Sequence, residues 1–179
     1  MVPIATISIT PDQDAILGEV HIAASPERVF QALSNPTQMK QWWGQRGMYR
    51  HTQVEIDLRP GGKWRSQGLS DDGDNTPFQV SGEYVEIDPP RLLSYTWEAS
   101  FAKAPPSLVR WELTPSAGGT RVKMTHSKLA QYPEARISYS NGWPTVFRWM
   151  QEYLEKGITV AARPVFSGPP RKPAEKAGD

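Results

Sequence analysis

The chain contains no cysteine among its 179 residues. Disulfide frameworks, thiolate zinc sites, cysteine nucleophiles and thiol redox switches are therefore excluded. Its three histidines are isolated, with no HExxH motif and no histidine pair at helical or strand spacing. Such a pattern offers no recognisable metal ligand set, so we expect neither a metal nor another cofactor.

A large excess of one charge and long apolar runs are also missing. The formal net charge is +1 at pH 7, which gives no indication of nucleic acid binding or of attraction to an anionic membrane. No stretch approaches the roughly 20 apolar residues of a transmembrane helix, and the N-terminus lacks the features of a signal peptide. We therefore predict a cytoplasmic protein with no nucleic acid and no membrane partner.

The first half of the chain predicts one strand followed by two short helices. Apolar and polar residues alternate over 16–22, as in a half-buried strand. Ser25-Pro26 is typical of a helix N-cap with proline at the first helical position, and Asn35-Pro36 ends that helix and caps a second one. The second helix closes on Trp42-Trp43. Two adjacent indoles are too large for a short helix to bury alone, so a sheet or a cavity must cover them.

The second half predicts a sheet and one long helix. Alternating patterns separated by turn residues predict antiparallel strands near 54–58, 63–68, 78–87, 91–98, 108–114 and 120–126. Apolar residues then recur at helical spacing at Trp143, Phe147, Met150, Leu154 and Ile158. The predicted fold class is α+β: a curved antiparallel sheet wrapped around a long C-terminal helix, with two short helices after the first strand.

Three segments divide the chain. Residues 1–14 form an N-terminal extension, and residues 15–162 form the single domain. Residues 163–179, rich in proline and basic side chains, have too few apolar residues to offset the entropy of ordering, so we predict a disordered tail.

The inner face of the predicted sheet collects large aromatic side chains beside small ones. Ser66, Gly68 and Gly82 share that face and are expected to leave gaps. Aromatic walls around open space are typical of a pocket for a small hydrophobic or amphipathic molecule, although ordinary close packing would fill the same gaps. The predicted ligand-binding residues are Trp42, Trp43, Trp64, Tyr84, Tyr95, Trp97, Trp111, Met124, His126, Trp143, Phe147 and Met150.

A series of short motifs occurs in a fixed order over residues 15–162. They are ASPERVF at 24–30, WWG at 42–44, DLRPGGKW at 57–64, GEYVEI at 82–87, 93–97, GGTRV at 118–122 with Thr125-His126, and Gly142-Trp143. In this order they resemble the START-like (SRPBCC, helix-grip) superfamily. The similarity is to the branch of the C-terminal domain of the activator of Hsp90 ATPase homologue 1.

The resemblance implies a deep cavity between the sheet and the last helix, which holds lipids, sterols, polyketides or hormones in relatives. The co-chaperones that name this branch carry a separate N-terminal domain, for which this chain has no room. An Hsp90-type chaperone is therefore not an expected partner, and a chaperone-interaction module is the third alternative. Homodimerisation through an exposed sheet edge is left open.

The second alternative is an enzyme, since START-like domains also include cyclases and hydrolases. His126, Tyr95 and Tyr84 would then be the catalytic candidates, because histidine transfers protons near neutral pH. His126 equally fits a buried, hydrogen-bonded structural histidine, and we favour that interpretation. His21 and His51 are predicted to face outward or to end a strand. A non-enzymatic binding protein is the first prediction.

Overall fold

Two strands, rather than one, precede the short helices. The computed structural model describes residues 4–168, and the bounds of its elements are β1 Thr6–Ile9, β2 Ile16–Ile22, α1 Pro26–Ser34, α2 Pro36–Trp42, β3 Gly44–Gln45, β4 Tyr49–Ile56, β5 Lys63–Ser70, β6 Pro77–Asp88, β7 Leu92–Ala99, β8 Ser107–Ser116, β9 Gly119–Ser127 and α3 Pro133–Lys156. The extra strand, β1, lies inside the predicted N-terminal extension and pairs antiparallel with β2.

The strands of the described residues form one antiparallel sheet in the order β1-β2-β9-β8-β7-β6-β5-β4-β3. Both β1 and β3 are edge strands, so the sheet curves without closing. The long helix α3 packs against its inner face near β1 and β2, while α1 contacts β8 and β9. The predicted α+β class and helix-grip arrangement are confirmed.

Local sequence signals set the ends of the short helices as expected. The side chain of Ser25 accepts a hydrogen bond from the backbone N–H of Arg28, and Asn35 accepts one from Gln38. Each cap satisfies a backbone donor that the first helical turn leaves unpaired. The turn at 35 therefore fixes the angle at which α2 delivers Trp42 and Trp43 to the interior.

The helix α3 is longer than predicted at its N-terminal end. It begins at Pro133, ten residues before the first apolar position used to predict it, and ends at Lys156, followed by Gly157, whose φ of +68° is left-handed. Pro144 lies inside the helix. Because proline has no backbone N–H, it interrupts the hydrogen-bond ladder there, and Gly142 two residues earlier weakens the helix further.

The predicted disordered tail is wrong at its first residue. Arg163 is only 1% exposed, and the backbone N–H of Phe166 donates to the carbonyl of Arg46. Composition indicated too few apolar contacts, but here polar contacts to backbone carbonyls hold the segment. The remainder of that predicted tail, residues 169–179, lies outside the described residues.

Candidate functional site

The predicted inner face is real, and its side chains are buried. Every one of the twelve predicted ligand-binding residues is at most 8% exposed. Ring-to-ring contacts join all of the aromatic members into one network, which runs from Trp42 at the end of α2 to Phe147 on α3. The candidate site is therefore an aromatic interior between the sheet and α3.

Trp97, on β7, stands at the centre of this network. Its indole contacts five other rings at centroid distances of 5.7–6.2 Å: Trp43, Trp64, His126, Tyr139 and Trp143. Trp43 directly follows α2, and the other four lie on β5, β9 and α3. The interior thus depends on a sheet, a short helix and a long helix meeting at one side chain.

The gaps expected beside the aromatic rings are filled. A side-chain carbon at Gly68 would overlap the ring of Phe78, and one at Gly82 would overlap the backbone oxygen of Thr96. Ser66 is 2% exposed and its hydroxyl contacts His51. These small residues permit close approach of neighbouring groups, and they leave no open space where the sequence predicted it.

A groove of about 620 Å³ lies elsewhere, on the outer face of the sheet. Its walls include Thr6 and Ser8 of β1, Leu17 of β2 and Lys123 of β9. Strand register places these residues on the face opposite Val122 and Met124, which are fully buried. The groove is accordingly separate from the aromatic interior.

His126 is fully buried and both of its ring nitrogens have partners. Its Nδ1 receives the indole N–H of Trp143 at 3.1 Å, and its Nε2 lies 2.7 Å from the hydroxyl of Ser107. An indole nitrogen can only donate, so Nδ1 is unprotonated and the proton resides on Nε2. The ring then donates to Ser107, whose hydroxyl donates in turn to the carbonyl of Trp97 at 3.1 Å.

This hydrogen-bond chain separates His126 from catalytic Ser–His pairs. In a triad the histidine nitrogen facing the serine must be free to take the serine proton. Here that nitrogen already carries the ring's single proton. Burial lowers the pKa of His126 to about 3, so the ring is neutral at neutral pH. The geometry supports the structural interpretation of His126.

The stability of the protein should fall on acidification because of His126. Unfolding exposes a histidine with an ordinary pKa near 6.5, so the unfolded state gains a proton below that pH while the folded state resists protonation down to about pH 3. His126 alone should contribute a loss of about 2 kcal/mol at pH 5 relative to neutral pH, and His51 adds to it. Urea unfolding across this range measures it. The unfolding free energy of His126→Gln should fall less steeply with decreasing pH than that of the unmodified protein. An identical pH dependence in both proteins would contradict the assignment.

Tyr95 and Tyr84 are also poor proton-transfer groups. Burial raises the pKa of both hydroxyls well above the ordinary value for tyrosine, and the charge of Tyr95 adds to the effect at Tyr84. The Tyr95 hydroxyl accepts the indole N–H of Trp111 at 2.9 Å. Both side chains are therefore neutral in the interior at neutral pH.

The structure corrects the position of His51. Strict alternation from Val54 places His51 on the outer face, but the register shifts between His51 and Gln53. This bulge leaves Thr52 as an extra residue, so His51 pairs with Gly68 on the inner face. Burial lowers the pKa of His51 to about 4. A single-residue irregularity of this kind has no signal in the alternation pattern.

Sequence reasoning also missed Tyr139 and Trp149. Tyr139 stacks on His126 with centroids 4.8 Å apart, and the indole of Trp149 donates to Gln45. Extending the helical spacing back from Trp143 by four residues would have found Tyr139. Trp42, in contrast, is less central than predicted, since its indole donates to Ala32 of α1 at 2.8 Å and anchors the two short helices to each other.

No group of histidine, aspartate and glutamate side chains in residues 4–168 is arranged to hold a metal ion. Within the same part of the chain, no helix combines the length and the apolar character needed to cross a membrane.

Solved structures share this fold at low sequence identity. Protein Ms6760 from Mycobacterium smegmatis is 20% identical with a TM-score of 0.72, over 85% of this chain and 98% of that one. An AHSA1-like protein from Aeromonas hydrophila is 22% identical with a TM-score of 0.65, over 78% and 90% of the two chains. DynU16, described as a protein in the dynemicin biosynthetic locus, is 22% identical with a TM-score of 0.64, over 82% of this chain and 49% of that one. Such identities show the fold alone.

No curated protein matches the sequence. A family model does match, however, over residues 23–155, which include both short helices and nearly all of α3. That match agrees with the motifs, with the strand order and with the aromatic interior described above. The chain belongs to the family of activator of Hsp90 ATPase homolog 1-like proteins, which has the START-like fold.

Proposed function

We propose that this protein binds a small aromatic or amphipathic molecule between the sheet and α3. One observation carries the proposal: the indole N–H of Trp97, in a side chain only 8% exposed, has no hydrogen-bond partner within residues 4–168. A buried donor without a partner destabilises a protein by about 1–3 kcal/mol. A bound molecule with an acceptor group would remove that cost.

The indole N–H groups of the other tryptophans differ from that of Trp97. Each of the six remaining tryptophans donates its N–H to a protein acceptor, at distances of 2.8–3.3 Å: Trp42, Trp43, Trp64, Trp111, Trp143 and Trp149. The fold therefore satisfies indoles wherever it can, and the exception is the ring at the centre of the site. Unsatisfied buried groups are few in native proteins, and each one requires a physical explanation.

Because the interior rings are in contact, a guest must displace side chains to enter. Two features favour the loop between β7 and β8 and the first part of α3 as the segments that move. Phe101, 50% exposed on the loop between β7 and β8, contacts Tyr139 with centroids 6.4 Å apart. Gly142 and Pro144 weaken the helix α3 just after Tyr139. Movement of the loop and the first part of α3 would expose Trp97 while the rest of the sheet stays in place.

The enzyme alternative has less support from the site. His126 is neutral with both nitrogens engaged, and Tyr84 and Tyr95 hold their protons at neutral pH. A general base must instead be free to accept a proton. The likeness in fold to DynU16, a protein in a biosynthetic locus, is compatible with binding of a small organic molecule by this chain.

Native mass spectrometry of the freshly purified chain, together with a titration by indane, tests the proposal. We expect a co-purifying neutral molecule, or a saturable change in tryptophan emission accompanied by a higher melting temperature, since a ligand that binds the folded state stabilises it. Hydrogen exchange in the loop at 100–106 and in residues 133–143 should slow on binding. If no guest co-purifies and indane changes neither emission nor melting temperature, the proposed function is wrong.

A further inference from the structure

A second buried polar atom in the interior lacks a partner. The Nε2 of His51 is inaccessible and makes no hydrogen bond within the described residues, while Nδ1 contacts the hydroxyl of Ser66. At neutral pH the ring carries one proton, because burial lowers its pKa to about 4. The position of that proton decides whether Nε2 is a donor or an acceptor.

The surroundings of Ser66 place the proton on Nε2. Ser66 is 2% exposed, and His51 is the one hydrogen-bond partner of its hydroxyl within residues 4–168. If Nδ1 carried the proton, both the serine hydroxyl hydrogen and the Nε2 lone pair would be left unpaired. If the serine donates to Nδ1, a single unpaired group remains, the Nε2–H. Buried polar groups adopt the arrangement with the fewest unpaired members, so His51, like Trp97, offers an N–H donor.

Trp43 is a neighbour of both rings that carry a free donor. Its ring centroid lies 5.9 Å from that of His51 and 6.2 Å from that of Trp97, and its own N–H is occupied by the hydroxyl of Tyr49. A flat molecule admitted beside Trp43 would therefore lie next to both rings. A competing group is the Tyr139 hydroxyl. It is close enough to the Trp97 indole to oppose part of the rise that burial causes in its own pKa, but the pair lacks the geometry of a hydrogen bond.

The same surroundings disfavour an anionic guest. Every ring in contact with His51 or Trp97 belongs to a neutral side chain, including His126. An anion taken from water into such surroundings would lose its hydration without gaining a countercharge. Two N–H donors without a charge fit an oxygen that accepts hydrogen bonds and remains neutral, which a carbonyl group does.

From these contacts we infer, on the basis of the proposed function, that the guest is a neutral aromatic carbonyl compound. In chemical terms it is an aromatic ketone or a quinone, with carbonyl oxygen accepting hydrogen bonds from Trp97 and His51. Its rings lie against Trp43, and a hydroxyl or amine donor on the guest adds nothing, because the free groups of the protein are themselves donors.

Three bicyclic probes of nearly equal size test this inference in the full chain. Indanone carries a carbonyl acceptor, indane has no polar group, and indole has an N–H donor. Dissociation constants come from NMR titration, with the indole N–H resonance of Trp97 assigned by Trp97→Phe. We expect indanone to move this resonance downfield, as a hydrogen bond to oxygen does, and indane and indole to leave its hydrogen-bonding state unchanged.

Two variants each remove one donor while keeping an aromatic ring. Trp97→Phe removes the indole N–H, and the double variant His51→Phe with Ser66→Ala removes both members of that pair, so that no new buried group is stranded. In each, the ratio of the indane to the indanone dissociation constant should fall about five- to ten-fold, the worth of one hydrogen bond. His21→Phe, a matched change in the outer groove, should leave the ratio unchanged.

The outcomes separate the two proposals. If the three probes bind but the ratio is the same in all variants, the carbonyl preference is overturned and binding stands. The preference is also overturned if indole binds more tightly than indanone, or if Tyr139→Phe abolishes the effect of Trp97→Phe, since that hydroxyl would then be the partner of Trp97. If none of the probes binds, both the preference and the proposed function fail.

Discussion

Replacing Arg163 with alanine is expected to lower the free energy of unfolding by about 3–5 kcal/mol, as removal of one member of a buried polar cluster does. The guanidinium donates to the backbone carbonyls of Trp42, Gly44 and Trp149 at 2.5–2.9 Å and to the carboxylate of Glu152 at 3.2 Å. It also lies over the Trp149 ring, 5.4 Å from its centroid. Alanine would remove this donor from all three backbone carbonyls at once.

Urea and thermal unfolding measure the effect, with a midpoint roughly 6–20 °C lower for a loss of this size. Arg148→Ala is the matched control, because Arg148 also pairs with Glu152, at 3.8 Å, but is 55% exposed. It should change stability by less than about 0.5 kcal/mol. Arg163→Lys should fall between the two, since an ammonium cannot reach so many acceptors at once. A value for Arg163→Ala equal to that of Arg148→Ala would contradict the role assigned to Arg163.

Gly82→Ala is expected to cost about 3 kcal/mol, at the upper end of the range for overpacking. The new carbon would overlap the backbone oxygen of Thr96 and lie 2.7 Å from the indole nitrogen of Trp64. Backbone of a neighbouring strand cannot move aside as a flexible side chain does. The strands β6 and β7 would have to separate beside the aromatic interior.

Gly142→Ala is the matched control for this substitution and should have the opposite sign. Apart from the adjacent backbone of α3 itself, no atom of the described residues lies within 4 Å of the position that its side chain would occupy. Alanine should stabilise the helix by about 0.5–1 kcal/mol. Urea midpoints of the two variants compare the same chemical change at a filled and an open position. A neutral Gly82→Ala would mean that the space predicted from the sequence exists after all.

Arg163 and His51 both lie in places other than those predicted from the sequence, for two different reasons. An argument from composition counts the apolar residues of a segment. It therefore cannot predict that one arginine will donate hydrogen bonds to three backbone carbonyls from α2, β3 and α3. An alternation pattern assigns each strand residue to one face of the sheet by its odd or even position, so it cannot reveal a bulge at Thr52. The contacts of Arg163 join parts of the chain more than a hundred residues apart. The position of His51 depends on a local break in a regular pattern.

Local sequence patterns were enough to predict the α+β class, the caps at Ser25 and Asn35, the strands after the short helices apart from β3, and the inward position of the twelve predicted residues. Those features follow from spacing and from neighbours along the chain, which are local properties. Only the tertiary structure decided which polar atoms in the interior have partners and that the places beside the glycines are filled. Hydrogen bonding and close packing depend on distances of a few tenths of an ångström between distant segments, and no one-dimensional pattern carries that information.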